Sequence, residues 1–220
     1  MSAPRILGNK LHPAQTVLLV CDIQERFRSL IWRGETVVQT TQYMTRLAAL
    51  LEIPVVVTEQ YKKAFGSTIT ECFAHDERPP TTHVFEKKQF SMLTPPVLEQ
   101  LRQYPERDTY LLVGIEAHVC VQQTCLDLLT LQKKQVHLIA DGISSQQPYD
   151  REIALQRMQQ AGALVTTAQS AAFMLMQTAD HPQFKAFSQL TIEHMKKKSN
   201  EFNEDYLLPP PKMSSSMKEE

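Results

Sequence analysis

TYLLVGIEAHVCVQQTCLDLLTLQKKQVHLIA, residues 109–140, is the stretch from which the fold follows. Its first six residues, Thr109 to Gly114, are apolar without alternation, the pattern of a strand covered on both faces. Val121, Cys125, Leu128 and Leu129 then recur at helical spacing. Gln135 to Ala140 is a second strand of the same kind, closed by Asp141-Gly142. Two doubly covered strands joined by a helix lie parallel, through a right-handed crossover.

The same alternation extends outward in both directions. Upstream, TVLLVC (Thr16 to Cys21) reads as a buried strand, and Val37, Thr41, Met44, Ala48 and Leu51 form a helical stripe. Pro54 opens a second strand, PVVVT, and a loop with Gly66 and Pro79-Pro80 spans about Glu59 to Pro80. HVFEK, from His83, is a third strand, and Pro95 suits the first turn of the next helix. Downstream, a helix covers about residues 150–161, a short strand Ala163 to Thr166, and Phe184, Phe187, Thr191 and Met195 mark a terminal helix. The expectation is an α/β fold: three layers, α-β-α, around a mostly parallel six-stranded sheet with helices on both faces. Residues 1–15 read as an irregular N-terminal segment and 16–198 as one domain. Residues 199–220 read as a tail, with Pro209 to Pro211 and a Ser run.

Composition narrows the function. The 220 residues carry 23 Lys and Arg against 24 Asp and Glu, a net charge of −1. That supplies no general field for a polyanion and argues against nucleic acid as a partner. The apolar runs are too short to cross a membrane. Cys21, Cys72, Cys120 and Cys125 form no C-x-x-C pair, which fits a reducing, cytoplasmic compartment. The N-terminus carries Arg5 and Lys10 without an acid, compatible with mitochondrial import as well. Six scattered glycines build no phosphate-cradling loop, and seven histidines show no ligand spacing, so no cofactor and no metal is implied. A small-molecule substrate is the expected partner.

Ligands of parallel sheets bind outside the carboxyl ends of the strands. Three reactive side chains fall there. Asp22 ends the first strand and reads either as a helix cap or as a general base. Lys87 and Lys88 end the third and read either as a solvated pair or as a cation facing an anion. Cys120 follows the fourth and reads either as a small buried hydrophobe or as a thiol activated at a helix start. Base, cation and thiol at the ends of different parallel strands are the parts of a cysteine nucleophile. His118, two residues before Cys120, is a surface histidine or an assistant.

CDIQERF, VTEQY, EKKQFSM, GIEAHVCVQQTCLDLL and DGISSQ, in this order, resemble the isochorismatase-like hydrolases, the cysteine hydrolase superfamily. The likeness runs over roughly residues 16–172 and is nearest the isochorismatase domain-containing branch. It implies an Asp22, Lys87, Cys120 triad. Lys87 is preferred to Lys88 because the family lysine precedes the Phe of FSM, here Phe90, by three residues. It further implies a non-proline cis peptide near Ile115–Glu116 and an oxyanion hole from the backbone of Glu116 and Cys120. Nicotinamidases of the superfamily carry an Asp/His/His metal cluster after the second strand, where TEQYKKAFGST has no histidine. Members that cleave a vinyl ether lack the nucleophilic cysteine. The resemblance therefore implies a metal-independent hydrolase of a small amide-like C–N bond, with a binding or scaffold role, or a nuclease, as alternatives. Gln24, Phe27, Glu59, Tyr61, Phe90 and His118 adjoin these motifs as candidate pocket residues. Family habit and apolar helix stripes suggest a homo-oligomer, a dimer or larger.

Overall fold

The computed structural model describes residues 10–73, 78–131 and 135–198; the expected tail, 199–220, lies outside them. Six strands, β1 (Thr16–Cys21), β2 (Val55–Gln60), β3 (Thr82–Lys87), β4 (Thr109–Gly114), β5 (Gln135–Ile143) and β6 (Leu164–Thr166), form one sheet in the order β3-β2-β1-β4-β5-β6. Every pairing is parallel. The helices are α1 (Gly34–Leu50), the single turn α2 (Lys62–Phe65), α3 (Pro95–Arg102), α4 (Gln122–Leu131), α5 (Pro148–Gln160), α6 (Ala168–Met176) and α7 (Phe184–Lys198).

Period-two alternation along the strands sorts two cores. Leu18, Val20, Val55, Val57, Leu111 and Val113 face α1, α6 and α7. Val17, Leu19, Cys21, Val56, Leu112 and Leu138 face α3, α4 and α5. The three-layer expectation is met: both sheet faces are apolar because both are covered. β1 lies between β2 and β4, so the strand order reverses there and a crevice opens at its carboxyl end.

Several local expectations needed correction. Asp141-Gly142 does not close β5, which continues to Ile143 after a register shift opposite Leu112 and Gly114. A Cβ on Gly142 would sit 2.9 Å from Val113 and 3.0 Å from Thr40, so the glycine lets α1 close onto the sheet. Asp141 instead braces the start of a helix beyond α5 and β6, its Oδ1 accepting Ala168 N–H at 2.8 Å. That helix, α6, was not foreseen, since AQSAAFMLM has no repeating polar stripe and thus no helical period to detect. The loop over 59–80 contributes Glu59 and Gln60 to β2 and forms α2 and a 3₁₀ turn at Thr70–Cys72. On α7, Met195 is exposed, and His194 takes its place inside, stacked on Tyr43 at 4.3 Å.

His137 is enclosed in β5, 3% exposed, and burial pushes its imidazole down to about 4. The folded state holds it neutral, with Gln135 Nε2 at 2.9 Å from its Nε2. The unfolded chain protonates near pH 6.5, so stability is lost as pH falls from about 6.5 to about 4. Urea unfolding should show about 2 kcal/mol less stability at pH 5 than at pH 7 from this group. His137→Asn should lose that part of the pH dependence; an unchanged slope in the variant would refute the assignment.

Candidate active site

The polar groups at the carboxyl edge cluster on one face of the sheet, and strand parity decides which ones. Thr58 and Gln60 follow Val56 at two-residue steps, and Lys87 follows Phe85 likewise; Val56, Phe85 and Cys21 all face α3, α4 and α5. Glu59 has the opposite parity. At the end of β1 the chain turns through a left-handed residue, Asp22, φ 52°. Its N–H still bonds Thr58 O at 3.1 Å, which anchors the carboxylate over β2.

Asp22 is 1% exposed and Lys87 3%. Lys87 Nζ meets Asp22 Oδ2 at 2.6 Å, with both side chains sealed from solvent. Thr58 Oγ1 donates to Asp22 Oδ1 at 2.8 Å. The ammonium's other protons go to Gln60 Oε1 at 2.7 Å and to the carbonyls of Phe90 at 2.8 Å and Gln89 at 3.2 Å. Burial presses Lys87 towards its neutral form, but Cys21, Asp22 and Cys120 together outweigh it, and its pKa lies above the ordinary lysine value. Lys88 takes no part in the pair: it is exposed, its Nζ 5.7 Å from the Tyr61 ring centroid.

Two thiols complete the cluster. Cys120 sits 7% exposed in a wide, π-type turn, Ala117–Val121, between β4 and α4. Its carbonyl accepts from Thr124 Oγ1 at 2.7 Å, and that hydroxyl accepts Met92 N–H at 2.9 Å. The turn is thereby fixed to the segment that follows Lys87. Cys21, fully buried, points its Sγ at Asp22 Oδ2, 3.6 Å away, and belongs to the same buried cluster as Cys120. Burial, the neighbouring Cys120 thiol and the nearby carboxylate push the Cys21 thiol well above its usual pKa. The Ile115–Glu116 peptide is cis. The Glu116 carboxylate accepts from Gln146 N–H at 3.0 Å and from its side-chain amide at 3.1 Å.

The remaining candidates divide. Gln24, fully buried, is committed to the chain: its amide reaches Gln60 O at 3.0 Å and Gly66 O at 2.7 Å and accepts Gln60 N–H at 2.7 Å. Glu59, 2% exposed, holds Thr68 N–H at 2.8 Å, Thr68 Oγ1 at 3.0 Å and Lys62 at 2.8 Å. Both staple the 61–68 loop, and Gln24 also borders the small cavity that Phe27 lines. Phe27 packs on Phe65, ring centroids 4.9 Å apart, and lines a small cavity with Ile23, Ile31 and Ile115. Tyr61 and Phe90 are about half exposed, and the Phe90 carbonyl, not its ring, is what meets Lys87. His118 Nδ1 lies 2.9 Å from Ser145 Oγ and its Nε2 3.9 Å from Asp150. Thr58, Gln60, Cys21 and Thr124 escaped sequence reading. Parity relative to Phe85 and Val56 was the available signal for the first two. Among the described residues no cluster of three or more His, Cys, Asp or Glu is placed to hold a metal ion, and no helix is long and apolar enough to cross a membrane.

A doubly wound parallel sheet with its polar cluster at the strand-order switch defines an α/β protein whose candidate site lies at the carboxyl edge of the sheet. The isochorismatase domain model matches residues 16–170, and the chain belongs to the isochorismatase family of hydrolases. It is 46% identical to the secreted isochorismatase effector Isc1 of Phytophthora sojae, over 89% of this chain and 92% of that one. It is 40% identical to isochorismatase domain-containing protein 2 of Xenopus laevis, over 88% and 91%. Among solved structures it is similar to the MAR1 ribonuclease of Caenorhabditis elegans, with TM-score 0.78, 38% identity, and 84% and 93% of the two chains covered.

Removing Lys87 leaves a buried carboxylate without its cation. Lys87→Met should cost about 3–5 kcal/mol in urea unfolding, and adding Asp22→Asn should recover much of it. Lys88→Met should stay within about 0.5 kcal/mol. Equal, small effects for the two lysines would refute the pairing.

Proposed function

We propose that the chain is a metal-independent cysteine hydrolase that cleaves a small amide-like C–N bond through Asp22, Lys87 and Cys120. The observation that carries this reading is the sealed Asp22–Lys87 pair, 2.6 Å apart, with the Cys120 thiol inside its electrostatic reach. Such a pair costs desolvation and needs several hydrogen bonds to exist, so a purely structural role is better served by apolar residues.

In this mechanism Asp22 takes the Cys120 proton and later hands it to the leaving amine. Lys87 stabilises carboxylate and thiolate in turn. The Cys120 sulfur attacks the carbonyl carbon, and the backbone N–H groups of Glu116 and Cys120 hold the oxyanion. Collapse expels the amine and leaves a thioester. Asp22 then activates water, which releases the acid and restores the thiol. Tyr61 and Phe90, exposed beside the Lys87 segment, are the candidate walls for the substrate. Gln24 and Glu59 shape the site through the loop that they hold.

The printed name of the Caenorhabditis elegans relative raises a nuclease reading. A net charge of −1 gives no field for a polyanion, and we do not adopt it. Self-association belongs to the proposal: Phe173 on α6 and Ile192 and Met195 on α7 are about half exposed. A single-chain mass in sedimentation at micromolar concentration would remove it.

Iodoacetamide at pH 7 with peptide mapping tests the chemistry. Cys120 should be labelled at least about tenfold faster than Cys21, Cys72 and Cys125, and Asp22→Asn or Lys87→Ala should abolish the advantage. Circular dichroism verifies that each variant is folded. Labelling of Cys120 no faster than an unactivated thiol would overturn catalysis and leave the binding or scaffold role.

A further inference from the structure

The hydrolytic mechanism leaves one member of the cluster unused. Cys21 comes from the last residue of β1 and Cys120 from the turn after β4, yet both lie in the buried cluster on the α3-α4-α5 face, and the Cys21 carbonyl accepts the Ile115 N–H at 2.9 Å, at the head of the segment that carries Cys120. We propose that Cys21 is the resolving partner of Cys120, so that a peroxide drives the two into a reversible disulfide that blocks the nucleophile and spares it from irreversible oxidation. The inference rests on the reading of Cys120 as a reactive thiol.

Three features of the site support this role. First, access is ordered. Cys120 retains 7% exposure while Cys21 has none, so a small oxidant meets Cys120 first, and the Cys120 sulfur is what Cys21 can reach. Second, a base is in place for the buried thiol. Cys21 Sγ donates to Asp22 Oδ2 at 3.6 Å, so an acceptor for its proton is already in contact with it. Third, the Lys87 ammonium sits 2.6 Å from Asp22, beside Cys21, and lowers the cost of an anion on that sulfur. The other cysteines are differently placed: Cys72 belongs to the core on the opposite face of the sheet, and Cys125 lies along α4.

The steps balance. The Cys120 thiolate attacks one oxygen of hydrogen peroxide; an S–O bond forms, the O–O bond breaks, and after proton transfer the products are a sulfenic acid and water. Asp22 takes the Cys21 proton, the Cys21 sulfur attacks the sulfenic sulfur, and an S–S bond of about 2.05 Å replaces the S–O bond. Hydroxide leaves and collects the proton as a second water. Sulfur is oxidised and peroxide reduced, with two thiols and one peroxide giving one disulfide and two waters. A dithiol reductant reverses the result by exchange. Without Cys21 the sulfenic acid would proceed to sulfinic and sulfonic acids, which a thiol does not reverse.

The test uses the full chain treated with hydrogen peroxide, then mapped without reduction. Wild type should yield a linked peptide pair containing Cys21 and Cys120. Its Cys120 labelling by iodoacetamide should fall at least about tenfold and return with dithiothreitol. Cys21→Ser and Cys21→Ala, verified as folded, should lose labelling permanently and accumulate sulfinic and sulfonic acid at Cys120. Linkage of Cys120 to Cys72 or Cys125, or full recovery in the Cys21 variants, would overturn the proposal. If neither variant folds, the wild-type linkage map decides. Fast labelling of untreated Cys120 without a linked pair would sink this inference alone. Slow labelling that ignores Asp22→Asn would sink the hydrolase reading instead.

Discussion

A charge pair sealed from water constrains the whole carboxyl edge of this sheet. Asp22 and Lys87 meet at 2.6 Å with almost no solvent contact. Neither ion is tolerable there alone, because an isolated buried charge costs several kcal/mol or more. Each is therefore surrounded by partners: Thr58 for the carboxylate, and Gln60 with the carbonyls of Gln89 and Phe90 for the ammonium. Those partners set the path of the chain after β3 and the length of β2. The Cys120 turn is tied to the same segment through Thr124 and Met92. The cluster is thus a structural knot as well as a chemical one.

The parallel sheet makes that knot possible. Strand ends that share a direction bring residues far apart in the chain to one rim, and alternation gives each a face. Gly114 shows how tightly the rim is closed. With φ at +133°, it has no Cβ; one built there would fall 2.2 Å from Cys21 O and 2.7 Å from Cys21 Cβ. The bare backbone lets β4 lie against the end of β1, and the cis peptide and the turn of Cys120 follow directly after it. The β1–α1 connection is held by a second set of contacts, Gln24 to Gln60 and Gly66, with Glu59 to Thr68 beside it. Motif-adjacent polar residues can therefore serve a site without touching its ligand.

Two regimes of sequence reading emerge from particular residues. Strands such as Thr16–Cys21 and Thr109–Gly114 were legible because burial on both faces demands unbroken apolar runs. α6 was not, because its polar residues, Gln169 and Ser170, are adjacent in the first turn and leave no repeating polar stripe against which to read a period. Asp141-Gly142 misled for a related reason: the turn signature is real, but tertiary contacts to Ala168 and Thr40 absorb it within an extended strand. Met195 gave way to His194 because stacking on Tyr43 draws the imidazole inward.

Sequence alone determined the layers, the parallel order of βα units and the motifs by which Asp22, Lys87 and Cys120 were singled out, since these depend on local pattern and short spacing. Only the tertiary structure decided that Lys87 is sealed against Asp22 while Lys88 stays exposed, that Gln24 and Glu59 brace a loop, and that Cys21 and Cys120 share one buried cluster. Those outcomes depend on which face of a strand a side chain leaves from and on which neighbour is hydrogen-bonded beside it. Both are set by the register between strands that are tens of residues apart, a relation that no local window of the chain contains.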